Sequence, residues 1–377
     1  MKKILFIDRD GVLLQEPPLD YQIDAYEKME LVPGCIAALR DIVALKLYEL
    51  VMVTNQDGLG TDVFPEDTFW GPQNLLMKIL ANEGIRFRNV HIDRSFPEEN
   101  KSTRKPGIGM LTEYQHGEWD LDRSFVIGDR KTDMILAGNL GTKGILLGQS
   151  ADPLDLRESG NAPWENDVVL KANNWTEIRD FLVGLPRTVR HQRDTHETKI
   201  TLSLNLDGSG RSNIQTGLSF FDHMLDQIAR HGGLDLDLKV DGDLEVDEHH
   251  TIEDTGLALG TAFREAIGSK IGMARYGFSL PMDDCRALVL MDFGGRPWFT
   301  WDVEFHREKI GDVPTEMFSH FFKSFSDEAR INLQIDARGE NEHHKIESVF
   351  KAFARAVKAA VRRDTNDLTL ASTKGVL

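Results

Sequence analysis

Cysteine is nearly absent. Cys35 and Cys285 are the only two in 377 residues, and they lie far apart. That excludes a disulfide framework or a thiolate zinc ribbon, and it fits a reducing compartment. Long apolar runs are missing too. No stretch approaches the ~20 residues of a membrane-spanning helix. The N-terminal MKKILFIDRDG places only ILFI between its lysines and the next charge, too short for a signal peptide. The expectation is a cytoplasmic protein. Positive charge is in deficit: 44 basic against 61 acidic residues leave a net charge of −17. This argues against general binding to nucleic acid or anionic membranes, but leaves room for a small basic pocket that takes a phosphate. The length of the chain implies two or three domains.

The first half alternates β-rich runs, KILFID (3–8), LVMVTN (50–55), SFVIGD (124–129) and KGILLG (143–148), with helical patterns over 34–47, 71–83 and 132–140. Such alternation implies an α/β domain with a parallel sheet and ligands at the carboxyl ends of its strands. Residues 148–167 hold turn formers and little periodicity, as a loop would, and 173–185 read as a short helix. The pattern then becomes that of antiparallel strands joined by a DG turn. The expected division is a domain over 1–166, a linker over 167–187 and a second domain over 188–377. Within the second, FFDHMLDQIARHG (220–232) is echoed by MFSHFFKSFSDEA (317–329), and DEHHTIEDTG by NEHHKIESVF. The offsets are 97 residues from His223 to His320 and 94 from His249 to His343. This predicts an α+β domain made of two duplicated half-domains.

In FIDRDG, Asp8 and Asp10 stand at the end of a buried strand. At a strand-to-loop turn both carboxylates meet one ligand. One can attack phosphorus while its neighbour handles protons. Close carboxylates repel, so a cation such as Mg²⁺ is expected between them. Asp129 is a third strand-end carboxylate, with Asp133 beyond it. Thr54 and Asn55 offer donors, and Lys105 a cation for phosphate. A lone DxDG is as often a capped turn; four such signals in order are not. These motifs resemble the haloacid-dehalogenase superfamily of phosphatases over residues 1 to about 165. The resemblance implies Asp8 as nucleophile forming an aspartyl-phosphate and Asp10 as general acid/base. It also implies Mg²⁺ held by Asp8, the Asp10 carbonyl and Asp129, and a phosphoryl group bound by Thr54, Asn55 and Lys105. DRDGVLLQEP and TRKPGIGM resemble the histidinol-phosphatase branch, in which a loop often carries a Cys-x-His…Cys-x-Cys zinc site. Here those positions hold Asp93, Ser95, Lys101 and Thr103. No soft ligand remains, so no zinc is expected and other contacts must hold the loop.

The doubled HHxxE carries the second chemistry. On a helix, His249 and Glu253 (i, i+4) share a face, but adjacent histidines point ~100° apart. One ion cannot easily take both, so each histidine of a pair is expected to serve a different metal. Two pairs then imply two metals, each drawing on both repeats. Imidazole with carboxylate suits Mn²⁺, Fe²⁺ or Zn²⁺, and Mn²⁺ is the first choice. His223 and His320 complete eight candidates: His223, His249, His250, Glu253, His320, His343, His344 and Glu347. His91, His116, His191, His196 and His306 read as surface or packing residues, and His231 as one that could reach substrate.

With FFDHML, ARHGGLDL, MDFGGRP and the terminal ASTKGVL, these motifs resemble imidazoleglycerol-phosphate dehydratase over about 188–377. The two halves together resemble the fused bifunctional enzymes of histidine biosynthesis. The resemblance implies two reactions: dehydration of imidazole glycerol phosphate to imidazole acetol phosphate, and hydrolysis of L-histidinol phosphate. It assigns one metal to His223, His250, His343 and Glu347, and the other to His249, Glu253, His320 and His344. Together they hold the substrate imidazole as an imidazolate. Glu197 is implied as the catalytic glutamate, and Arg275, Arg296, Ser372 and Lys374 as phosphate ligands. The resemblance also implies a large homo-oligomer with sites between subunits. Alternatives remain open at this level. They are a dinuclear metallohydrolase or a metal-dependent assembly module for the second half, and a phosphatase of another small ester or a silent remnant for the first.

Overall fold

The computed structural model describes residues 2–18, 21–148, 163–365, 367–375 and 377. Most of the loop expected over 148–167 lies outside them. The chain forms two compact units, Met1–Gly184 and Leu185–Leu377.

The first unit is built on a six-stranded, all-parallel sheet. Its strands are β1 (Lys3–Ile7), β2 (Tyr48–Asn55), β3 (Phe87–Asp93), β4 (Phe125–Gly128), β5 (Lys143–Leu147) and β6 (Val168–Ala172). Their spatial order is β3-β2-β1-β4-β5-β6. Ile4, Leu5, Phe6 and Ile7 are fully buried, the continuous apolar run that a strand covered on both faces requires. The connections run left from β1 through β2 to β3, then right through β4. A switch point therefore opens between β1 and β4, where ligands of such sheets bind. The helices are α1 (Cys35–Ala44), α2 (Glu66–Asn82), α3 (Lys131–Leu140) and α4 (Trp175–Gly184).

Three expectations change here. Helix α2 begins at Glu66 rather than 71 and runs through Pro72, because Phe69 packs edge-on against Phe64 and fastens its first turn to the core. β3 was not expected, since FRNVHID alternates with polar residues at the sheet edge. The expected linker over 167–187 carries β6, paired to β5, and α4. Trp175 of α4 is fully buried and donates from Nε1 to the Val12 carbonyl at 2.8 Å.

The second unit repeats one motif. The first half has β7 (Thr188–Asp194), β8 (Thr198–Asn205), β9 (Ser212–Gln215), α5 (Ser219–Gly232), β10 (Asp235–Gly242) and α6 (His249–Ile267). The second has β11 (Tyr276–Met282), β12 (Cys285–Asp292), β13 (Trp298–Val303), the short pair β14 (Lys309–Ile310) and β15 (Val313–Pro314), α7 (Thr315–Ala329), β16 (Asn332–Arg338) and α8 (Glu342–Ala360). The sheets, β7-β8-β10-β9 and β11-β12-β16-β13, have the same topology. β8 and β12 share one in–out alternation. The expected hairpin across Asp207-Gly208 does not form: β9 lies beyond β10 and pairs with it in parallel. Asp207 turns back to bind the Arg187 guanidinium. Asp235 accepts from Ser209 N and Arg211 N, and so draws the loop across to β10.

The helices of the halves interlock, α6 on α7 and α5 on α8. Glycine permits the first contact. A Cβ at Gly256 would lie 2.7 Å from the Phe321 carbonyl oxygen, and one at Gly260 2.6 Å from that of Phe325. No helix among the described residues is long and apolar enough to cross a membrane. Gly256→Ala should force α6 off α7 and cost about 1–3 kcal/mol, the usual penalty of overpacking; a lowered midpoint in thermal or urea unfolding checks it.

Candidate functional site

At the switch point of the first unit, carboxylate atoms of Asp8, Asp129 and Asp133 lie within 4.8 Å of one another. All three are buried. Asp129 can come this close because residue 11 is glycine, with φ +76°: a Cβ there would sit 2.1 Å from Asp129 Oδ2. Lys105 Nζ lies 2.7 Å from both Asp8 Oδ2 and Asp133 Oδ1. Burial opposes its charge, but Asp133 and Asp8 outweigh burial and hold Lys105 above its ordinary value. One cation does not satisfy the cluster. Burial, and then the charges of Asp8 and Asp133, push Asp129 up to about 8, and its Oδ1 is buried without a partner. A buried, acceptor-only set with an orphaned oxygen fits a hard divalent cation.

Asp10 is held from two sides. Arg9 Nη1 donates to its Oδ1 and Gln56 Nε2 to its Oδ2, each at 2.7 Å. Arg9 is fully buried, and its guanidinium carbon lies 5.1 Å from the centre of the Phe69 ring. Gln56 also donates to Thr54 Oγ1 at 2.8 Å. Asn55 differs from its expected role. Its side chain pairs with the backbone of Lys105, accepting from N at 3.0 Å and donating to O at 3.3 Å. It thus fixes the lysine's loop. Asp8, Asp10, Thr54, Asn55 and Lys105 open onto one cleft of about 810 Å³, whose wall also carries Arg104 and Arg130. Arg9, Gln56 and Arg130 were missed in the sequence because a strand-end motif does not reveal what its flanking side chains touch.

The loop after β3 is held by Asp93. Its Oδ1 accepts from Ser95 N and Oγ, and its Oδ2 from Thr103 Oγ1 at 2.5 Å. Lys101, the third of those positions, pairs with Glu99 at 2.8 Å. Burial would raise the Asp93 carboxyl, but the Ser95 and Thr103 bonds outweigh it and hold the group below its ordinary range. Arg104 spans Asp57 and the Ser95 carbonyl.

In the second unit, His249 Nε2 lies 2.8 Å from Glu253 Oε2, and His320 Nδ1 3.7 Å from the same oxygen. These three form one metal-sized group, from α6 of the first half and α7 of the second. His343 Nε2 is 3.6 Å from Glu347 Oε2 on α8. The α5 helix brings Phe220 against the His343 ring, and His223 Nδ1 is 3.5 Å from Gln227 Nε2. His250 and His344 face elsewhere, His250 toward Asp243 and Glu197, His344 toward Asp284. Hydrogen bonds to Asp243 and Asp284 raise these two imidazoles above their ordinary range. Among the described residues, no group of three ligand atoms joins α6 to α8. The donor set of imidazole and carboxylate fits a borderline divalent metal. Glu197, in the β7–β8 turn, is about half exposed, with Oε1 3.8 Å from His250 Nε2. His231 is bonded to Gln227.

Arg275 binds Asp292 through two nitrogens and donates from Nη1 to the Ala371 carbonyl at 2.6 Å. The carbonyl carbon of Leu377 passes 3.2 Å from where a Cβ of Gly295 would stand. The terminal segment holding Ser372 and Lys374 therefore meets both Arg275, ahead of β11, and the β12–β13 loop that holds Arg296.

A family model described as imidazoleglycerol-phosphate dehydratase matches residues 216–357, and one described as HAD-hydrolase-like matches 102–171. The chain is 58% identical to the histidine biosynthesis bifunctional protein HisB of Spirosoma linguale and 56% identical to that of Bacteroides fragilis. Each match covers 100% of both chains. It is also similar to the crystal structure of imidazoleglycerol-phosphate dehydratase from Staphylococcus aureus subsp. aureus N315, at 36% identity and a TM-score of 0.43, over 47% of this chain and 99% of that one.

Asp129 sets a pH dependence for the first site. A carboxyl raised to about 8 is protonated at neutral pH, and a divalent cation must displace that proton. Apparent affinity should rise about tenfold per pH unit up to pH 8 and level off above it. Calorimetric metal titrations between pH 6.5 and 9 measure this, and an affinity independent of pH contradicts it.

Proposed function

The chain belongs to the bifunctional histidine biosynthesis proteins, and from that membership we propose which residues run its two reactions. It is an imidazoleglycerol-phosphate dehydratase and a histidinol-phosphatase in one chain. Both families depend on metals.

In the first unit we assign Asp8 as the nucleophile on phosphorus and Asp10 as the acid that protonates the departing alkoxide and then the base for water. The observation that supports this is the division of partners. Asp8 faces Lys105, a phosphate-neutralising cation, whereas Asp10 is turned by Arg9 and Gln56 onto the same cleft. Thr54 donates to the phosphoryl group, while Asn55 holds the backbone of Lys105. Asp8, the Asp10 carbonyl and Asp129 would hold Mg²⁺, which supplies charge neutralisation at phosphate.

In the second unit we assign the eight histidine and glutamate ligands to two Mn²⁺ ions, which supply Lewis acidity to a substrate imidazole when bound. The group of His249, Glu253 and His320, drawn from both repeats, supports this. Glu197 moves the proton. Arg275, Arg296, Ser372 and Lys374 take the phosphate where the terminal segment meets the glycine loop.

Among the described residues no metal-sized group joins α6 to α8 within one chain. Two metals serving one substrate imidazole would need both sets, so we assign His223, His343, His344 and Glu347 of one chain to a site shared with His249, His250, Glu253 and His320 of another. This is the physical ground for a homo-oligomer with shared sites.

Asp8→Asn should lower histidinol phosphate hydrolysis on the order of 10⁴-fold or more and spare dehydration. Glu197→Gln should do the reverse, lowering dehydration about 10²–10⁴-fold with metal content and assembly intact. Assays of both variants on both substrates test the assignment, and loss of both activities in either variant contradicts it. Sharing of sites has its own test. His320→Ala and His343→Ala chains should each be inactive alone, yet co-assembled they should regain about a quarter of the dehydratase activity, because random pairing rebuilds that fraction of whole sites. No recovery in verified mixed oligomers would falsify shared sites.

A further inference from the structure

The second histidine of each HH pair is gripped from behind. Nδ1 of His250 lies 3.0 and 3.2 Å from the two carboxylate oxygens of Asp243. Nδ1 of His344 lies 2.8 Å from Asp284 Oδ1. Neither aspartate belongs to the eight proposed ligands. They reach their histidines by different routes: Asp243 follows β10, just ahead of α6, whereas Asp284 lies in the β11–β12 turn, 60 residues before His344. Asp284 is itself fixed, its Oδ2 accepting from Glu340 N at 3.1 Å and Asn341 N at 2.8 Å. The Asn341 side chain then accepts from His343 N and His344 N. The turn, the cap of α8 and the imidazole form one hydrogen-bonded unit.

A carboxylate at Nδ1 has a definite consequence. It accepts the proton carried there and so selects the tautomer with a free lone pair on Nε2. It also stops the ring from rotating about its Cβ–Cγ bond. A free imidazole spreads over both tautomers and several ring orientations, and a metal that binds it must first remove that freedom.

The repeat sharpens the point. Because β8 and β12 share one alternation and begin at Thr198 and Cys285, Glu197 and Asp284 stand at equivalent places, each just before its strand. Their surroundings differ. Glu197 approaches its histidine, His250, on the Nε2 side at 3.8 Å. Asp284 binds its histidine on the Nδ1 side and is tied to two backbone amides. Equivalent carboxylates of a duplicated unit thus address opposite nitrogens of equivalent rings: Glu197 is half exposed and makes one long contact, whereas Asp284 is held by the imidazole and two backbone amides. The first half, having given up its strand-start carboxylate to chemistry, supplies the grip from Asp243 instead.

We propose that Asp243 and Asp284 are positioning residues for the metal pair, each presetting the tautomer and direction of the ligand histidine, His250 or His344, that completes a site formed mainly by another chain. This rests on the two-metal reading above.

The test is Mn²⁺ binding to the full-length protein, followed by equilibrium dialysis and by the electron paramagnetic resonance signal of the free ion. Wild type, Asp243→Asn, Asp284→Asn and Asp284→Glu are compared, with oligomer size checked for each. Wild type should bind two ions per chain. Each Asn variant should weaken one of the two by about 10–100-fold and leave the other. Asp284→Glu, which keeps the charge, should recover most of the loss. Asp243 serves as the independent arm, since its carboxylate has no backbone bond among those described and its replacement leaves the α8 cap untouched. Two ions bound with unchanged affinity in both Asn variants overturn the positioning role alone. Fewer than two ions in the wild type overturn the two-metal reading beneath it.

Discussion

Neighbouring side chains on an α-helix point about 100° apart, and the second unit is organised around that angle. A helix that begins with two histidines cannot turn both to one ion. On the two-metal reading it presents them to two, and each ion then needs ligands from elsewhere. A duplicated unit provides them. α6 packs on α7, so the histidine and glutamate of one repeat meet the single histidine of the other. The contact is close because Gly256 and Gly260 stand where any side chain would strike the α7 backbone. The remaining histidine of each pair is turned away from that group and gripped by a carboxylate. Among the described residues no metal-sized group joins α6 to α8, and the proposed sharing of sites between copies rests on this point.

The first unit obeys a different constraint, the repulsion of buried like charges. Three carboxylates converge where β1 and β4 end, and burial makes Asp129 and Asp133 more costly to ionise. Lys105 offsets part of this, and Asp129 answers the rest by holding its proton to about pH 8. Asp129 Oδ1 stays buried without a partner, an arrangement that a hard divalent cation fits. Asp10, two residues from Asp8, escapes the cluster because Arg9 and Gln56 pull it aside. Two carboxylates of one short motif thus face one cleft with different partners, and the proposed split between nucleophile and acid/base group rests on that difference.

Sequence and structure agree most where chemistry and period coincide. The doubled HHxxE and the aspartates at a strand end are legible as local motifs, the parallel sheet follows from the strand–helix alternation, and the duplicated half-domain from the echoed segments. The supporting residues were not legible. Asp284 lies 60 residues from the ring it grips, and no local pattern connects them. Arg9 looks like a surface arginine until α2 covers it with Phe69. β6 and α4 read as a linker because β6 alternates like an exposed segment, yet its pairing with β5 and the buried Trp175, bonded to Val12 across 163 residues, tie them to the core. The Asp-Gly pair of 207–208 has the form of a hairpin turn, yet a long-range ion pair to Arg187 overrides it.

The loop between β3 and Lys105 shows how a carboxylate can do what a metal does in a related framework. A tetrahedral ion closes a loop by accepting electron pairs from four side chains; Asp93 closes this one by accepting hydrogens from two. Its oxygens tie Ser95 and Thr103, eight residues apart, to the end of β3. Bonds to a charged group contribute about 1.5–3 kcal/mol each, so three of them can outweigh the entropy of closing so short a loop. Burial should penalise the charge, but the same bonds hold Asp93 ionised, and Arg104 beside it balances the sign. The arrangement also aims Arg104, which is pinned by Asp57 and the Ser95 carbonyl at the wall of the cleft. The loop's order and the placement of Arg104 on the cleft wall are therefore tied to one buried aspartate.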